Sequence, residues 1–187
     1  MLTPTYTAED CKKVLFTEEQ IDAIVTRLAK EIDDTYRGSK NRLMLVITLK
    51  GALPFASALM KKITVPLQYE CIKVSSYGSG TKSSGQVKLH LDLHIDDPEN
   101  TDLLIVEDII DSGNTLSFLT AYLKSRHPAS VRICTMLDKP SRREVDLTPD
   151  FNGAQIPDEF VVGFGLDYDE NYRALPFIGV LKEEIYS

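Results

Sequence analysis

Apolar residues recur at helical spacing after Thr17: Ile21, Ile24, Val25, Leu28, Ile32 and Tyr36. Positions three and four apart share one face of a helix, so the pattern predicts an amphipathic helix over about 18–37. Thr17 with Gln20 three residues later forms a capping-box start, and Gly38 supplies a stop. The run Leu43–Leu49 is continuously apolar, as in a strand buried on both faces of a parallel sheet. A short helix follows, from Pro54 to Met60, and then a strand over 68–75. Residues 77–86 are rich in glycine and serine and predict a flexible loop. From Lys88 to Asp96 the chain alternates: Leu89, Leu91, Leu93 and Ile95 point one way, and Lys88, His90, Asp92, His94 and Asp96 the other. That period of two predicts a half-exposed strand hairpinned to the preceding one. Further strands are expected at 103–106, 131–137, 159–164 and 177–181, with a helix over about 114–126. This strand–helix alternation implies an α/β fold whose sheet is mainly parallel and doubly wound.

Composition narrows the picture. The chain has 187 residues, 43% hydrophobic and 26% charged, with a formal net charge of −7. That length suits one domain able to bury its own core, and the balance excludes disordered, collagenous and disulfide-scaffold classes. Net acidity argues against nucleic acid or anionic membrane as a partner, since both reward positive charge. No apolar run approaches the roughly 20 residues of a transmembrane helix, and the start lacks a basic, then apolar, secretory pattern. Cys11, Cys71 and Cys134 are odd in number and widely spaced. They are expected to be free thiols in a reducing cytoplasm.

The chemistry concentrates in Val106-Glu107-Asp108-Ile109-Ile110-Asp111-Ser112-Gly113-Asn114-Thr115, where a buried strand gives way to a helix. Ligands of open α/β sheets bind at the carboxyl ends of the strands. Ser112, Gly113, Asn114 and Thr115 supply hydroxyls and helix-terminal amides, which favour a phosphate. Glu107, Asp108 and Asp111 supply carboxylates, which accept hydrogen bonds from hydroxyls and attract metal cations. A ribose phosphate satisfies both halves. A P-loop nucleotide does not, because Gly-x-x-x-x-Gly-Lys-Ser/Thr is absent, as is a dinucleotide Gly-x-Gly-x-x-Gly. The plain alternative is that Asp111 and Ser112 only cap the helix.

This decapeptide closely resembles the phosphoribosyl-pyrophosphate motif of the 6-oxopurine phosphoribosyltransferases, the hypoxanthine-guanine branch. The resemblance extends in family order from about residue 43 to 181. Leu49-Lys50-Gly51 resembles the pyrophosphate loop, and Ser76-Tyr77 the start of the mobile lid. Lys139, Phe160-Val161-Val162-Gly163, Leu166-Asp167-Tyr168 and Arg173 resemble the purine and magnesium segments. The resemblance implies a type I phosphoribosyltransferase fold over 1–187, with a core at about 40–150 and a small hood from the N-terminal helix and C-terminal residues. It implies purine salvage: ribose 5-phosphate passes from phosphoribosyl pyrophosphate to hypoxanthine or guanine, with Mg2+ as cofactor and a homodimer or homotetramer as the assembly. Asp111 would be the general base, and Asp111 to Thr115 would hold the 5′-phosphate. Glu107 and Asp108 would bind the ribose, directly or through metal. Lys50, Gly51 and Arg173 would bind pyrophosphate, with Ser76 and Tyr77 closing over it. Lys139, Phe160, Val161 and Asp167 would bind the purine, and Glu107, Asp108 and Asp167 the metal.

Each residue also has a plainer reading. Lys139 can pair with Asp138 at the surface, Phe160 can be strand core, and Arg142 and Arg143 a charged loop. Two other functions are compatible with parts of the pattern. One is a nucleotide-responsive RNA-binding regulator of the same fold, which the net charge disfavours. The other is a zinc protein using His90, Asp92 and His94 on one strand face.

Overall fold

The computed structural model describes residues 7–76 and 87–187 of the chain. In order, the elements are β1 (Cys11–Phe16), α1 (Glu18–Tyr36), β2 (Arg42–Thr48), α2 (Leu53–Met60), β3 (Leu67–Ser76), β4 (Val87–Leu91), β5 (Thr101–Ile110), α3 (Asn114–Lys124), β6 (Ser130–Asp138), β7 (Phe151–Gln155), β8 (Val161–Val162), β9 (Ile178–Leu181) and α4 (Glu183–Tyr186). The capping box at α1 forms as its sequence requires. Thr17 Oγ1 accepts from Gln20 N at 3.4 Å, and Gln20 Oε1 accepts from Thr17 N at 2.9 Å.

Six strands form one sheet in the order β4-β3-β2-β5-β6-β7, parallel throughout except for the antiparallel β3–β4 pair. Its central strands are buried on both faces. Leu43, Leu45 and Ile47 of β2 face α1 and α2, together with Leu104 and Val106 of β5. Met44, Val46, Leu103 and Ile105 face the other way, onto Leu116, Leu119 and Leu123 of α3. α1 packs on this sheet through Val25, Leu28 and Ile32, so it belongs to the main core. It is β1 that joins the C-terminal residues, in a separate antiparallel sheet of order β1-β9-β8.

The topology locates the functional edge. From β2 the chain crosses through α2 to β3 on one side, and from β5 it crosses through α3 to β6 on the other. The winding therefore reverses between β2 and β5, and their carboxyl ends flank the crevice where open α/β sheets bind ligands.

Several elements depart from the sequence pattern for identifiable reasons. β1 carries Lys12 and Lys13, and β7 contains Asn152 and Gly153, so neither shows an apolar run. The strand expected at 88–96 stops at Leu91, because Asp92 turns to accept from Tyr122 Oη at 2.6 Å and to pair with Arg126. The strand expected at 159–164 reduces to two residues. Gly163, Phe164 and Gly165 have φ of +98°, +48° and +101°, which no β-ladder accommodates.

Candidate functional site

The carboxyl ends of β2 and β5 lie side by side, Ile47 opposite Val106. Beyond them the segments 49–51 and 107–111 meet at the crevice. The contact is tight enough to require glycine. A Cβ on Gly51 would lie 1.7 Å from Asp108 Oδ2, and one on Gly165 would lie 2.0 Å from the Gly51 carbonyl oxygen. Asp108 thus backs the 49–51 loop, and the turn at Gly165 holds the loop's carbonyl. The Leu49–Lys50 peptide is cis.

Residues 107–113 with Thr115 and Leu116 line one cavity of about 220 Å3. Its lower wall is acidic. Burial and the adjacent Asp108 charge push the Glu107 carboxyl well above the usual carboxylate range. Its upper wall is the start of α3, whose N-cap is Gly113 at φ +84° with no side-chain cap. Ser112 Oγ accepts from Asn114 N at 3.4 Å, while Asp111 does not cap the helix. Instead Asp111 Oδ1 accepts from Arg142 Nε at 2.9 Å. A larger concavity of about 340 Å3, at the opposite ends of β2 and β3, is lined by Tyr36, Arg42 and Gln68 and contains no carboxylate.

Arg143 anchors this turn from behind. Its guanidinium pairs with buried Asp138 and also donates to the main-chain oxygen of Asp111. Its Nε donates to the Leu147 carbonyl at 3.1 Å. A charged-loop reading therefore fails for Arg143, which ties the end of β5 to the end of β6. Asp138 is also held by Asn152 Nδ2 at 3.1 Å, so it is not the partner of Lys139. The Lys139 side chain is only 9% exposed, and its Nζ lies 3.8 Å from Asp158 Oδ1. A backbone hydrogen bond from Lys139 N to Ile110 O, 2.9 Å, sets it beside Asp111.

Phe160 is no core residue: it is 38% exposed and stacks on Tyr186 at 4.7 Å between ring centroids. Tyr168 meets Phe160 edge-on at 5.8 Å. Val161 is buried in β8. Asp167 Oδ1 pairs with Arg173 Nη2 at 2.8 Å, and Arg173 Nη1 donates to the Gly165 carbonyl at 2.7 Å. Glu170, which no motif singled out, reaches Lys50 Nζ at 2.7 Å and Arg173 Nη2 at 3.6 Å. The lysine hydrogen bond holds its carboxyl below the usual range. Ser76 ends β3, and Tyr77 lies outside the described residues.

The structure thus brings together Glu107 to Gly113 and Thr115 in one cavity, with the Asn114 side chain turned to Glu144, and sets Gly51 against Asp108 and Lys50 with Arg173 through Glu170. It does not build a closed metal cage. Among the described residues no three His, Cys, Asp or Glu side chains converge on one point. His90 and His94 go separate ways, to Ser75 at 2.7 Å and Asp96 at 2.9 Å, which removes the zinc reading. Glu107 and Asp108 offer adjacent oxygen donors, of the kind a hard cation takes when it keeps most of its waters, while Asp167 is engaged by Arg173 and does not group with them.

Residues 15–169 match the family model described as phosphoribosyl transferase domain. The hypoxanthine-guanine phosphoribosyltransferase of Mycobacterium avium is 47% identical over 193 residues, covering 99% of this chain and 95% of that protein. The bifunctional protein TilS/HprT of Listeria monocytogenes is 47% identical over 178 residues, and there the chain spans only 27% of the relative's length. A crystal structure of a hypoxanthine phosphoribosyltransferase from Staphylococcus aureus superposes with a TM-score of 0.92, at 45% identity and 100% coverage of both chains. The chain therefore belongs to the phosphoribosyl transferase domain family, in its hypoxanthine-guanine branch.

Proposed function

We propose that this chain carries out purine salvage by moving the 5-phosphoribosyl group of phosphoribosyl pyrophosphate onto a ring nitrogen of hypoxanthine or guanine. The ribose C1–oxygen bond breaks, its electron pair leaves with pyrophosphate, and a C1–nitrogen bond forms. The observation that carries the reading is the 220 Å3 cavity joining a helix N-terminus, whose N-cap glycine offers no side chain, to adjoining carboxylates. Phosphate belongs at the first and sugar hydroxyls at the second.

The amides and hydroxyls of Ser112, Gly113, Asn114 and Thr115 hold the 5′-phosphate. Glu107 and Asp108 receive the ribose hydroxyls. Asp111 takes the proton that the purine nitrogen loses, and its negative charge steadies the cationic sugar in the transition state. Its Oδ1 is bonded to Arg142, so that pairing must loosen or the second oxygen must act. Lys139 donates to the 6-oxo group. An ammonium has donors only, so the amino group of adenine cannot satisfy it. Phe160 stacks the purine on the face opposite Tyr186, and Val161 reads the ring edge with backbone groups. Lys50, Gly51 and Arg173 hold the departing pyrophosphate. Glu107 and Asp108 would hold Mg2+ bound with the substrate, and Asp167 a second Mg2+; the metal would supply neutralisation of the diphosphate charge.

Ser76 and Tyr77 would begin the lid that keeps water from the activated ribose. The β1-β9-β8 sheet, with Phe160 immediately before β8, is the hood over the base. No described helix is long and apolar enough to cross a membrane. A homodimer or homotetramer is the assembly implied by the resemblance. It is supported by the β3 edge at Leu67–Ile72, which pairs with no residue of β4 among the described residues and exposes Tyr69.

The direct test offers phosphoribosyl pyrophosphate and Mg2+ with hypoxanthine, guanine, xanthine or adenine, and follows nucleotide formation. Turnover of a 6-oxopurine with adenine inert is the expected result. Turnover of adenine alone, or of no base, would refute the reading.

A further inference from the structure

The two cations assigned above to the leaving group are not left bare. Lys50 Nζ lies 2.7 Å from Glu170 Oε2, and Arg173 Nη2 lies 3.6 Å from Glu170 Oε1. One carboxylate, with two oxygens, spans the lysine of the 49–51 loop and the arginine after β8. Arg173 also has a second acid, Asp167, at 2.8 Å. The two acids differ in setting. Asp167 and Arg173 are 30% and 25% exposed, whereas Glu170 and Lys50 are 63% and 54% exposed. A pair that exposed is weakly held and readily exchanged for another anion.

The backbone takes trouble to present Glu170. Asp169, Glu170 and Tyr172 have φ of +48°, +64° and +73°, a region that residues with a Cβ adopt uncommonly. Asp167 Oδ2 accepts from Glu170 N at 3.0 Å and fixes the turn. Such local cost, borne where the chain lines a crevice, is a reason to look for function.

We propose that Glu170 is a tethered counter-anion for the pyrophosphate subsite: when the site is empty it pairs with Lys50 and, beside Asp167, with Arg173, it yields to the diphosphate of an incoming ligand, and it returns as pyrophosphate departs. This rests on the assignment of Lys50 and Arg173 to the leaving group. Pyrophosphate brings several negative charges where Glu170 brings one, so it wins the exchange. The competition nonetheless lowers the site's affinity for pyrophosphate and hastens release.

The test is calorimetric titration of Mg2+ and pyrophosphate into the full chain as wild type, Glu170→Gln, Glu170→Asp, Lys50→Ala and the double variant Lys50→Ala/Glu170→Gln. Loss of an exposed competing ion pair should tighten binding to Glu170→Gln by about twofold to fivefold. Glu170→Asp should stay near wild type, Lys50→Ala should bind more weakly, and the double variant should lose most of the gain. In turnover, Glu170→Gln should show stronger product inhibition by pyrophosphate with an unchanged KM for the purine. If Lys50→Ala weakens binding but Glu170→Gln leaves it equal or weaker, the counter-anion is refuted and the leaving-group assignment stands. If Lys50→Ala leaves pyrophosphate affinity unchanged, the assignment itself fails and takes this inference with it.

Discussion

Replacing Gly165 by alanine tests the link between a backbone contact and the leaving-group site. The added Cβ would sit 2.0 Å from the Gly51 carbonyl oxygen, and real Cβ atoms essentially never come within 3.0 Å of such a neighbour. The 49–51 loop must therefore move by about 1 Å. It cannot recede freely, because the α-carbon of Gly51 already abuts the Asp108 carboxylate. A misplacement of about 1 Å in a binding group costs about 100-fold in rate. The substitution also places a side chain at φ +101°, which costs roughly 1–2 kcal/mol in stability. Gly38→Ala separates the two effects: φ there is +79°, but no atom lies within 4 Å of the new Cβ. In urea titrations Gly38→Ala should lose only the backbone cost, and Gly165→Ala that cost plus the cost of displacing the loop. Only Gly165→Ala should lose about 100-fold in kcat/KM for phosphoribosyl pyrophosphate. Equal kinetics for the two variants would refute the reasoning.

Asp111→Asn should cut kcat by about 100-fold to 10,000-fold, the usual worth of a general base, with KM for phosphoribosyl pyrophosphate within about threefold. Steady-state rates against both substrates decide it, and an unaltered kcat removes Asp111 as the base. Lys139→Gln should narrow the preference for hypoxanthine over adenine by tenfold or more, since a buried donor left without its acceptor costs about 1–3 kcal/mol; competition assays read this. Asp33 offers a stability test away from the site. It is buried and accepts from Thr64 N, Thr64 Oγ1 and Val65 N at 2.9, 2.7 and 3.0 Å. Burial raises its pKa, but these hydrogen bonds outweigh it and the net shift is downward. Its contribution is therefore full above the ordinary aspartate pKa and fades as pH falls through the lower native value. Asp33→Ala should cost about 2–3 kcal/mol at pH 7, with the gap to wild type closing below about pH 4, as thermal melts across pH will show.

Much of this architecture was legible because it is local. The capping box of α1, the two-sided apolar run of β2 and the strand-to-helix change at 106–115 each declare themselves within a few residues. So does the turn at Ser112 and Gly113, where the end of β5 passes to the start of α3. What stayed hidden is tertiary. Lys50 and Glu170 are 120 residues apart, and nothing near either specifies the other. Arg143 read as surface charge because arginine seldom lies buried, and its partners Asp138 and Leu147 are set by the meeting of two strand ends. The Gly163–Gly165 pair was a usable signal, as glycines flanking one residue mark a turn, yet the surrounding Val-Val-Gly-Phe run hid it as strand. β7 escaped notice because Gly153 is dictated from outside, its α-carbon pressed on the Met136 carbonyl.

The most direct measurement is a crystal structure grown with phosphoribosyl pyrophosphate and Mg2+. The 5′-phosphate should lie within hydrogen-bond reach of the amides of residues 112–115, with the ribose hydroxyls toward Glu107 and Asp108. A 5′-phosphate bound anywhere else, with the 107–115 crevice left to solvent, would contradict the account.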